Sequence, residues 1–579
     1  MEQKRLIFAI AISIAILLGF QLFISPHLPH PPVPAAEKTA AATPAASPAS
    51  GNAGASLPAA GAAAVAATPA PRLPIDAASL RGSIDLRGAM IDDLWLRDYR
   101  ETLAKNSPEV RLLEPRSDAQ PYFVQYGWSA APGERVVVPD DNTVWTASAP
   151  RLTSATPVTL SWTNPQGVTF QLLLTVDENY MFGVTQKVLN ASGHSVKLFP
   201  WARVRRDYTP PTTGSYELFE GLLGVVKGTL QETTYAKARS EGKEHDGLAY
   251  DATATGGWAG ITDKYWLTAV IPDQNEDATV SFRHIAEKGD HYQVDYLGRT
   301  PQTIAPGGDA IVASHMFAGA KIVHLLDQYE AQYHIPNFDK AVDFGWFYFL
   351  TKPIFLALDW LNSLLGNFGL AIMVFTVCVK ALFFPLANYS YRSMSKMRLL
   401  APKVKAMRER LKDDPGKMQS EMMALYKSEK VNPASGCLPM VVQIPVFFSL
   451  YKVIYTTIEM RQAPFIGWIH DLSAVDPTNV FNLFGLIPFD PTAISPLLHM
   501  GIWPLIMGCT MFLQQRLNPP PPDPMQARMF MLMPIVFTFM MARFPAGLVI
   551  YWSWNNTLSI LQQWVIMRRT RLSRPGLAR

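Results

Sequence analysis

Hydrophobic and polar positions follow several regimes along the chain, and each predicts a different kind of structure. Leu6 to Ile24 run without a charge behind the basic start MEQKR. Nineteen residues at about 1.5 Å each reach ~28 Å, close to the thickness of a bilayer's hydrocarbon layer. An N-terminal transmembrane anchor over 1–25 is the expectation, with a cleaved signal peptide as its rival. Residues 26–79 are rich in Pro and Ala with little else, which predicts a disordered tether. From 80 to 340 the apolar period becomes two, as in Val168-Thr-Phe-Gln-Leu172 and Val196-Lys-Leu198. Turn signals at Asn164-Pro165, Gly256-Gly257 and Pro306-Gly-Gly308 separate such runs. The pattern predicts a large antiparallel β-sandwich. It closes on a helix with Ile322, Leu325, Leu326, Tyr329 and Tyr333 on one face.

Beyond 340 the period lengthens. Residues 341–366 place Ile354, Leu358, Leu361 and Leu365 on one helical face, with Lys352, Asp359 and Asn362 opposite. An amphipathic helix lying in the outer interface is expected, and a tilted span is the alternative. Five spans follow within a bundle over 367–570: Phe368–Ala387, Gly436–Ile458, Ile494–Leu513, Met529–Ala542 and Phe544–Met567. The fourth is short, but Arg528 and Arg543 flank it and can snorkel outward. The fold class is therefore an α+β membrane protein: a polytopic helical bundle of five core spans, an anchor helix, and an extracytoplasmic β-sandwich.

Charge sharpens the topology. Charged residues make up 17% of the chain and hydrophobic ones 49%, and the net charge of +4 is too small to argue for nucleic acid. Residues 392–430 hold eleven Lys or Arg against five acids, and 571–579 form a basic tail, whereas 459–493 contain only Arg461. Basic segments thus fall on one side, so both termini are expected in the cytoplasm and the large domain outside. Within 392–430, Met397, Leu400, Val404, Met407 and Leu411 recur at helical steps. Beyond the breaker Asp413-Asp-Pro-Gly416, Met418, Met422 and Leu425 do the same. Two antiparallel amphipathic helices are predicted, either a solvated hairpin or a surface that receives polypeptide, ribosome or anionic lipid.

Candidate chemistry is sparse. Cys378, Cys437 and Cys509 all lie in apolar segments and are expected as buried free thiols. The chain contains no phosphate-binding loop, zinc-protease motif or nucleophile elbow, so an enzyme with a cofactor or metal is not expected. The anomaly is Lys380, a cation within an apolar span, which must face protein, water or a partner, or snorkel to the interface. Thr376 lies one turn away, and Gln443, Gln515, Asn555 and Asn556 bring polar groups from other spans. The alternative for each is a bridge between helices.

Asn432-Pro-Ala-Ser-Gly436-Cys-Leu-Pro439, running on to Gln443-Ile-Pro445-Val-Phe447, resembles the signature of YidC/Oxa-type membrane protein insertases. Tyr391-Arg-Ser-Met-Ser-Lys-Met397, Arg461-Gln-Ala-Pro464, Trp468-Ile-His-Asp-Leu472 and Phe544-Pro-Ala-Gly-Leu548 agree. The anchor, tether and β-domain, with Trp258-Ala-Gly-Ile-Thr-Asp-Lys264, are similar to the family's Gram-negative form. The resemblance implies an inner-membrane insertase or chaperone without a cofactor. It would receive nascent membrane proteins in a hydrophilic groove, alone or with the Sec translocon, in contact with ribosome and bilayer. It implies that Lys380 stands where the family has a groove arginine, and that Tyr551 and Trp552 match substrate-contacting positions. The rival expectation is a solute transporter or channel with an appended periplasmic carbohydrate-binding domain.

Overall fold

The computed structural model describes residues 71–572 apart from 213–217, 288, 412–413, 430, 432–437, 496–497 and 518–523. The expected anchor, residues 26–70 of the tether, the 432–437 part of the signature, and the tail from 573 lie outside the described residues.

The period-two stretch folds as two antiparallel sheets. One orders its main path as Arg72–Asp76, Leu80–Asp85, Met90–Arg100, Tyr122–Ala130, Val196–Arg206, His291–Gly298, Asp277–Ile285 and Leu248–Thr255. The other is built around Asp309–Ala320, Met181–Asn190 and Val168–Val176. The opening strand of the first sheet, Arg72–Asp76, begins inside the segment read as tether. Alternation explains the core: Val168, Phe170, Leu172, Leu174 and Val176 are buried while the intervening residues face outward. Val196–Arg206 departs from that rule. It lies within the sheet and is buried almost throughout, with three arginines. Arg206 is held by two 2.7 Å bonds to the Asp263 carboxylate, a third to the Tyr235 hydroxyl, and the face of Tyr122. Only such a full set of partners makes a buried guanidinium tolerable.

Helix α1 (Tyr235–Glu244), absent from the sequence expectation, packs on this sheet through buried Tyr235, Ala238 and Gly242. Helix α2 (Val323–Tyr333) buries Leu325, Leu326 and Tyr329, as its spacing predicts. Helix α3 (Tyr348–Leu365) buries Ile354, Phe355 and Leu358 and ends at Gly366, whose φ of +67° suits glycine. Its polar side chains do not face water as expected. Lys352 bonds Asp327 and Asp339 at 2.8 and 2.6 Å, and Asp359 pairs with His324 at 2.9 Å. Phe349, Trp360 and Leu364 point outward in their place, as does Trp346 just before the helix.

The remaining helices are α4 (Phe368–Leu382), α5 (Phe384–Arg410), α6 (Pro415–Ser428), α7 (Leu438–Thr456), α8 (Ile502–Leu517), α9 (Pro524–Met541) and α10 (Ala546–Leu572). Three of the expected spans are corrected. Phe368–Ala387 is not one helix: α4 and α5 meet at 67°, because Pro385 suits the first turn of a new helix and not the interior of an old one. The Ile494 helix begins only at Ile502. There Asp476 Oδ2 accepts from Trp503 N and Thr478 Oγ1 from Ile502 N, supplying the cap. His499 therefore lies outside the helix, bonded through its ring to the Asp476 carbonyl. The fourth span is longer than its apolar stretch, 18 residues instead of fourteen. Among the described residues, no single helix is long and apolar enough to cross a membrane. The bent α4–α5 pair passes that test together, and Val441–Thr456 and Ala527–Met541 are shorter apolar helices. Cys378 and Cys509 are exposed on α4 and α8, contrary to the expectation of buried thiols; Cys437 lies outside the described residues.

The β-unit and the helices meet through polar contacts. Lys452 of α7 pairs with Asp343 at 2.8 Å, Lys264 lies 3.9 Å over the Tyr455 ring, and Tyr265 OH donates to Ser473. Glu459, just past α7, accepts from Val323 N at 3.0 Å and so caps α2 from a distant part of the chain. Burial, with Asp359 nearby, pushes its carboxyl up to about 7, while His324 opposes the shift. Below its unfolded value near 4.5 the group is protonated in both states. Between there and about 7 only the undocked state releases the proton, so docking weakens as pH rises and levels off above 7. The window is worth at most about 3 kcal/mol. Glu459→Gln is expected to remove this slope; thermal melts of both full-length proteins from pH 4 to 8 would check it, equal slopes counting against it.

Candidate functional site

Lys380 occupies the last turn of α4, one residue-turn before the chain bends into α5. Its ammonium donates to Ser559 Oγ of α10 at 2.9 Å. Ser559 in turn donates to the Asn555 carbonyl at 2.7 Å, and the Tyr391 hydroxyl of α5 also reaches Ser559. Lysine has three N–H donors, and among the described residues Lys380 has a single neutral acceptor and no ion pair. Lys452, by contrast, is neutralised by Asp343.

The bend opens the space that Lys380 faces. An open cleft is lined by Val379 and Lys380 from α4, Phe383 at the bend, Leu386 and Tyr391 from α5, by Val442, Gln443 and Val446 from α7, and by Gln562 from α10. Its wall is apolar with a few polar groups set into it. The Gln443 amide donates to Tyr551 OH, which ties α7 to α10 and orients Gln443 at the cleft. Trp554 Nε1 donates to the Met373 carbonyl and fixes α10 against α4.

The polar residues singled out from sequence divide into two groups. Lys380 and Gln443 line the cleft, and Tyr551 is one bond away, itself buried. Asn555 joins through its carbonyl, while its side-chain Oδ1 is buried without a partner among the described residues. Thr376 is not at the cleft: it is 2% exposed and its hydroxyl donates to Ile372 O. Gln515 donates to the Phe530 carbonyl and bridges α8 to α9. Asn556 is buried and reaches Thr510 at 3.4 Å, bridging α10 to α8. Trp552 sits between the rings of Phe447 and Phe537, at 4.5 and 5.0 Å. These last four serve helix packing. Ser559 and Tyr391 were not singled out. Asn555, Ser559 and Gln562 stand at i, i+4 and i+7, a polar stripe on α10 that the helical period reveals once one looks for it.

The hairpin is present as α5 and α6. Asp414 caps α6 by accepting from Lys417 N, with Pro415 at the first position. Lys403–Glu429 at 3.0 Å and Arg410–Glu421 join the two helices. Leu400 is buried and Met397, Met407, Met418 and Met422 are half-buried, so these positions are turned inward; Leu399 and Met423 are the exposed apolar ones. Lys396, Lys405, Lys417 and Lys427 stand exposed, outside any ion pair among the described residues.

The family described as 60Kd inner membrane protein matches residues 360–573, and that described as YidC periplasmic domain matches 72–357. The chain is 60% identical to a membrane protein insertase YidC of Granulibacter bethesdensis, over 100% of both chains. It is 55% identical to one of Acidiphilium cryptum, over 98% of both. A crystal structure of an active YidC insertase aligns with 85% of this chain and 91% of its own, at 17% identity and a TM-score of 0.35.

Proposed function

Since the chain belongs to the YidC family of membrane protein insertases, we propose that the cleft at Lys380 is where it receives the polar flank of an incoming segment. The protein is an inner-membrane insertase with a periplasmic β-domain, and its substrates are nascent membrane proteins. The observation that carries the site is the Lys380 ammonium, whose one partner among the described residues is a neutral hydroxyl, facing a mostly apolar cleft. A cation so placed costs several kcal/mol unless it meets water or an anion. It therefore holds water at membrane depth and lowers the desolvation cost for an acidic or polar substrate flank. The substrate's apolar helix then leaves sideways into lipid, driven by hydrophobic burial without a nucleotide.

In this reading α4–α5, α7, α8, α9 and α10 are the five spans, with both termini and the α5–α6 hairpin in the cytoplasm. The separation of basic connections from one poor in Lys and Arg supports it, as do the exposed arginines 528 and 543 at the ends of the shortest apolar stretch. Helix α3 lies at the outer interface, its exposed tryptophans suited to that depth. The unpaired lysines of the hairpin favour the ribosome and anionic lipid as partners, and the Sec translocon is the partner for substrates that arrive through it.

Photo-crosslinkers at Leu386 and Gln562, which line the cleft, are expected to trap a stalled nascent chain, while one at buried Thr376 does not. A crosslink pattern that favours 376 over both cleft positions would move the substrate path elsewhere.

A further inference from the structure

The connection between α7 and α8 contains a segment that the insertase cleft does not use. Its ends are tied together: Val480 N donates to Met500 O and Asn479 Nδ2 to Leu498 O, each at 2.9 Å. Between these bonds Phe481, Leu483, Phe484, Leu486, Ile487 and Phe489 are exposed, Leu486 by 82%. Asp490 is the one Asp, Glu, Lys or Arg from 480 to 500. Leu483 and Phe484 both have positive φ, +50° and +62°, a strained backbone for bulky residues that bends the loop and turns its apolar side chains outward.

We infer that this loop, residues 480–495, is seated in the outer leaflet of the bilayer, with acyl chains covering Leu486 and Phe489. Four observations select lipid as the occupant. First, the loop's base belongs to the outer end of the bundle, because Tyr265 of the β-unit bonds Ser473 just before it. Second, six large apolar side chains are exposed within the nine residues from Phe481 to Phe489, a patch of the kind that marks a membrane or partner contact. Third, the amides of the loop's apolar stretch find acceptors close by in the chain, so this irregular backbone brings few unsatisfied donors to the headgroup–acyl boundary. Each amide from Phe484 to Phe489, proline aside, has an acceptor within the segment: Asn479 O, Asn482 Oδ1, Leu483 O, Asn482 O and Ile487 O in turn. Thr492 to Ser495 are satisfied by Asp490 and Pro491. Fourth, the absence of further charge leaves a polar partner nothing to pair with, whereas aromatic and aliphatic side chains suit the headgroup boundary. The same exposed chemistry recurs at α3, with Trp346 just before the helix and Phe349 and Trp360 on it.

The inference rests on the reading of the bundle as membrane-spanning, and the test separates the two. In the full-length chain with Cys378, Cys437 and Cys509 changed to Ser, nitroxide labels are placed one at a time. The positions are Leu486→Cys, Phe489→Cys, Val374→Cys on α4 and Val137→Cys on the β-unit. Each protein is reconstituted in vesicles of phosphatidylethanolamine and phosphatidylglycerol, and collisions with oxygen and with a nickel chelate are compared by electron paramagnetic resonance. Oxygen is expected to dominate at 486, 489 and 374, and the chelate at 137. Chelate dominance at 486 and 489 with oxygen dominance at 374 would place the loop in water and overturn the inference alone. Chelate dominance at 374 as well would overturn the spanning reading too. Should Leu486→Cys fail to reconstitute, Phe481→Cys, exposed on the same loop, reads the same depth.

Discussion

Lys380→Leu is expected to lower insertion of substrates with acidic translocated ends by ten-fold or more, while Lys380→Arg retains most of it. Lys380 is bonded to Ser559, whose hydroxyl also donates to the Asn555 carbonyl and so stays satisfied when the lysine is lost. Removing a cation that has no ion pair among the described residues relieves a desolvation cost and leaves no charge stranded, so the bundle is expected to fold. The loss falls on the substrate. At 4 Å and an effective dielectric of about 20, the attraction of a carboxylate to the ammonium is roughly 4 kcal/mol before desolvation is subtracted. A net loss of only about 1.4 kcal/mol is already ten-fold. Arginine keeps the charge and faces the same open cleft. The resemblance to the family places arginine at this position, so lysine here points to a role in charge and hydration and not to a planar two-point grip on one carboxylate. Insertion assays pairing acid-flanked with neutral-flanked substrates would check this. Equal insertion of both by the leucine variant would remove the electrostatic mechanism.

How far the sequence reveals this site depends on what each residue does to the local pattern. Lys380 stands out because a charge interrupts an apolar run, and the sandwich stands out because strands such as Val168–Val176 alternate strictly. Ser559 does not, since a hydroxyl in an apolar helix is nearly neutral by hydropathy and its role depends on α4 being bent toward it. That bend is hidden as well. Composition is continuous through Phe383-Phe384-Pro385, and only the backbone preference of Pro385 separates α4 from α5. Polar residues on α8 and α10 look alike in sequence, but Gln515 and Asn556 are spent on neighbouring helices while Gln562 faces the cleft. Which neighbour a polar side chain meets is a tertiary fact. Buried Arg203 and Arg206 of Val196–Arg206 escaped for the same reason: their partners Asp295, Asp263 and Tyr235 are distant in the chain.

Deletion of residues 397–427 is expected to abolish insertion while leaving the helices around Lys380 assembled. The polar contacts of the hairpin are internal: Lys403 with Glu429, Arg410 with Glu421, and the Asp414 cap on α6. The bonds that hold the cleft, Lys380 to Ser559, Gln443 to Tyr551 and Trp554 to Met373, all lie outside the deleted stretch. Its loss therefore costs the bundle little more than the buried contact of Leu400, at most about 2–5 kcal/mol by analogy with a core leucine truncation. What disappears is the exposed set Lys405, Lys417 and Lys427, together with the outward Leu399 and Met423. A cationic surface with a few apolar side chains captures anionic or amphipathic partners over roughly a Debye length, about 8 Å at physiological salt. Because the methionine face is turned inward, charge and not an open methionine groove is expected to dominate capture. Reversing Lys405 and Lys417 to Glu should then reproduce much of the deletion's defect, and raising salt should weaken the wild type in the same direction. Complementation of a depleted strain, with membrane localisation and a melt of the deleted protein as controls, would decide it. Normal insertion by the deletion variant would show that the hairpin is not a receiving surface. A defect that charge reversal fails to reproduce would shift the role from the lysines to Leu399 and Met423.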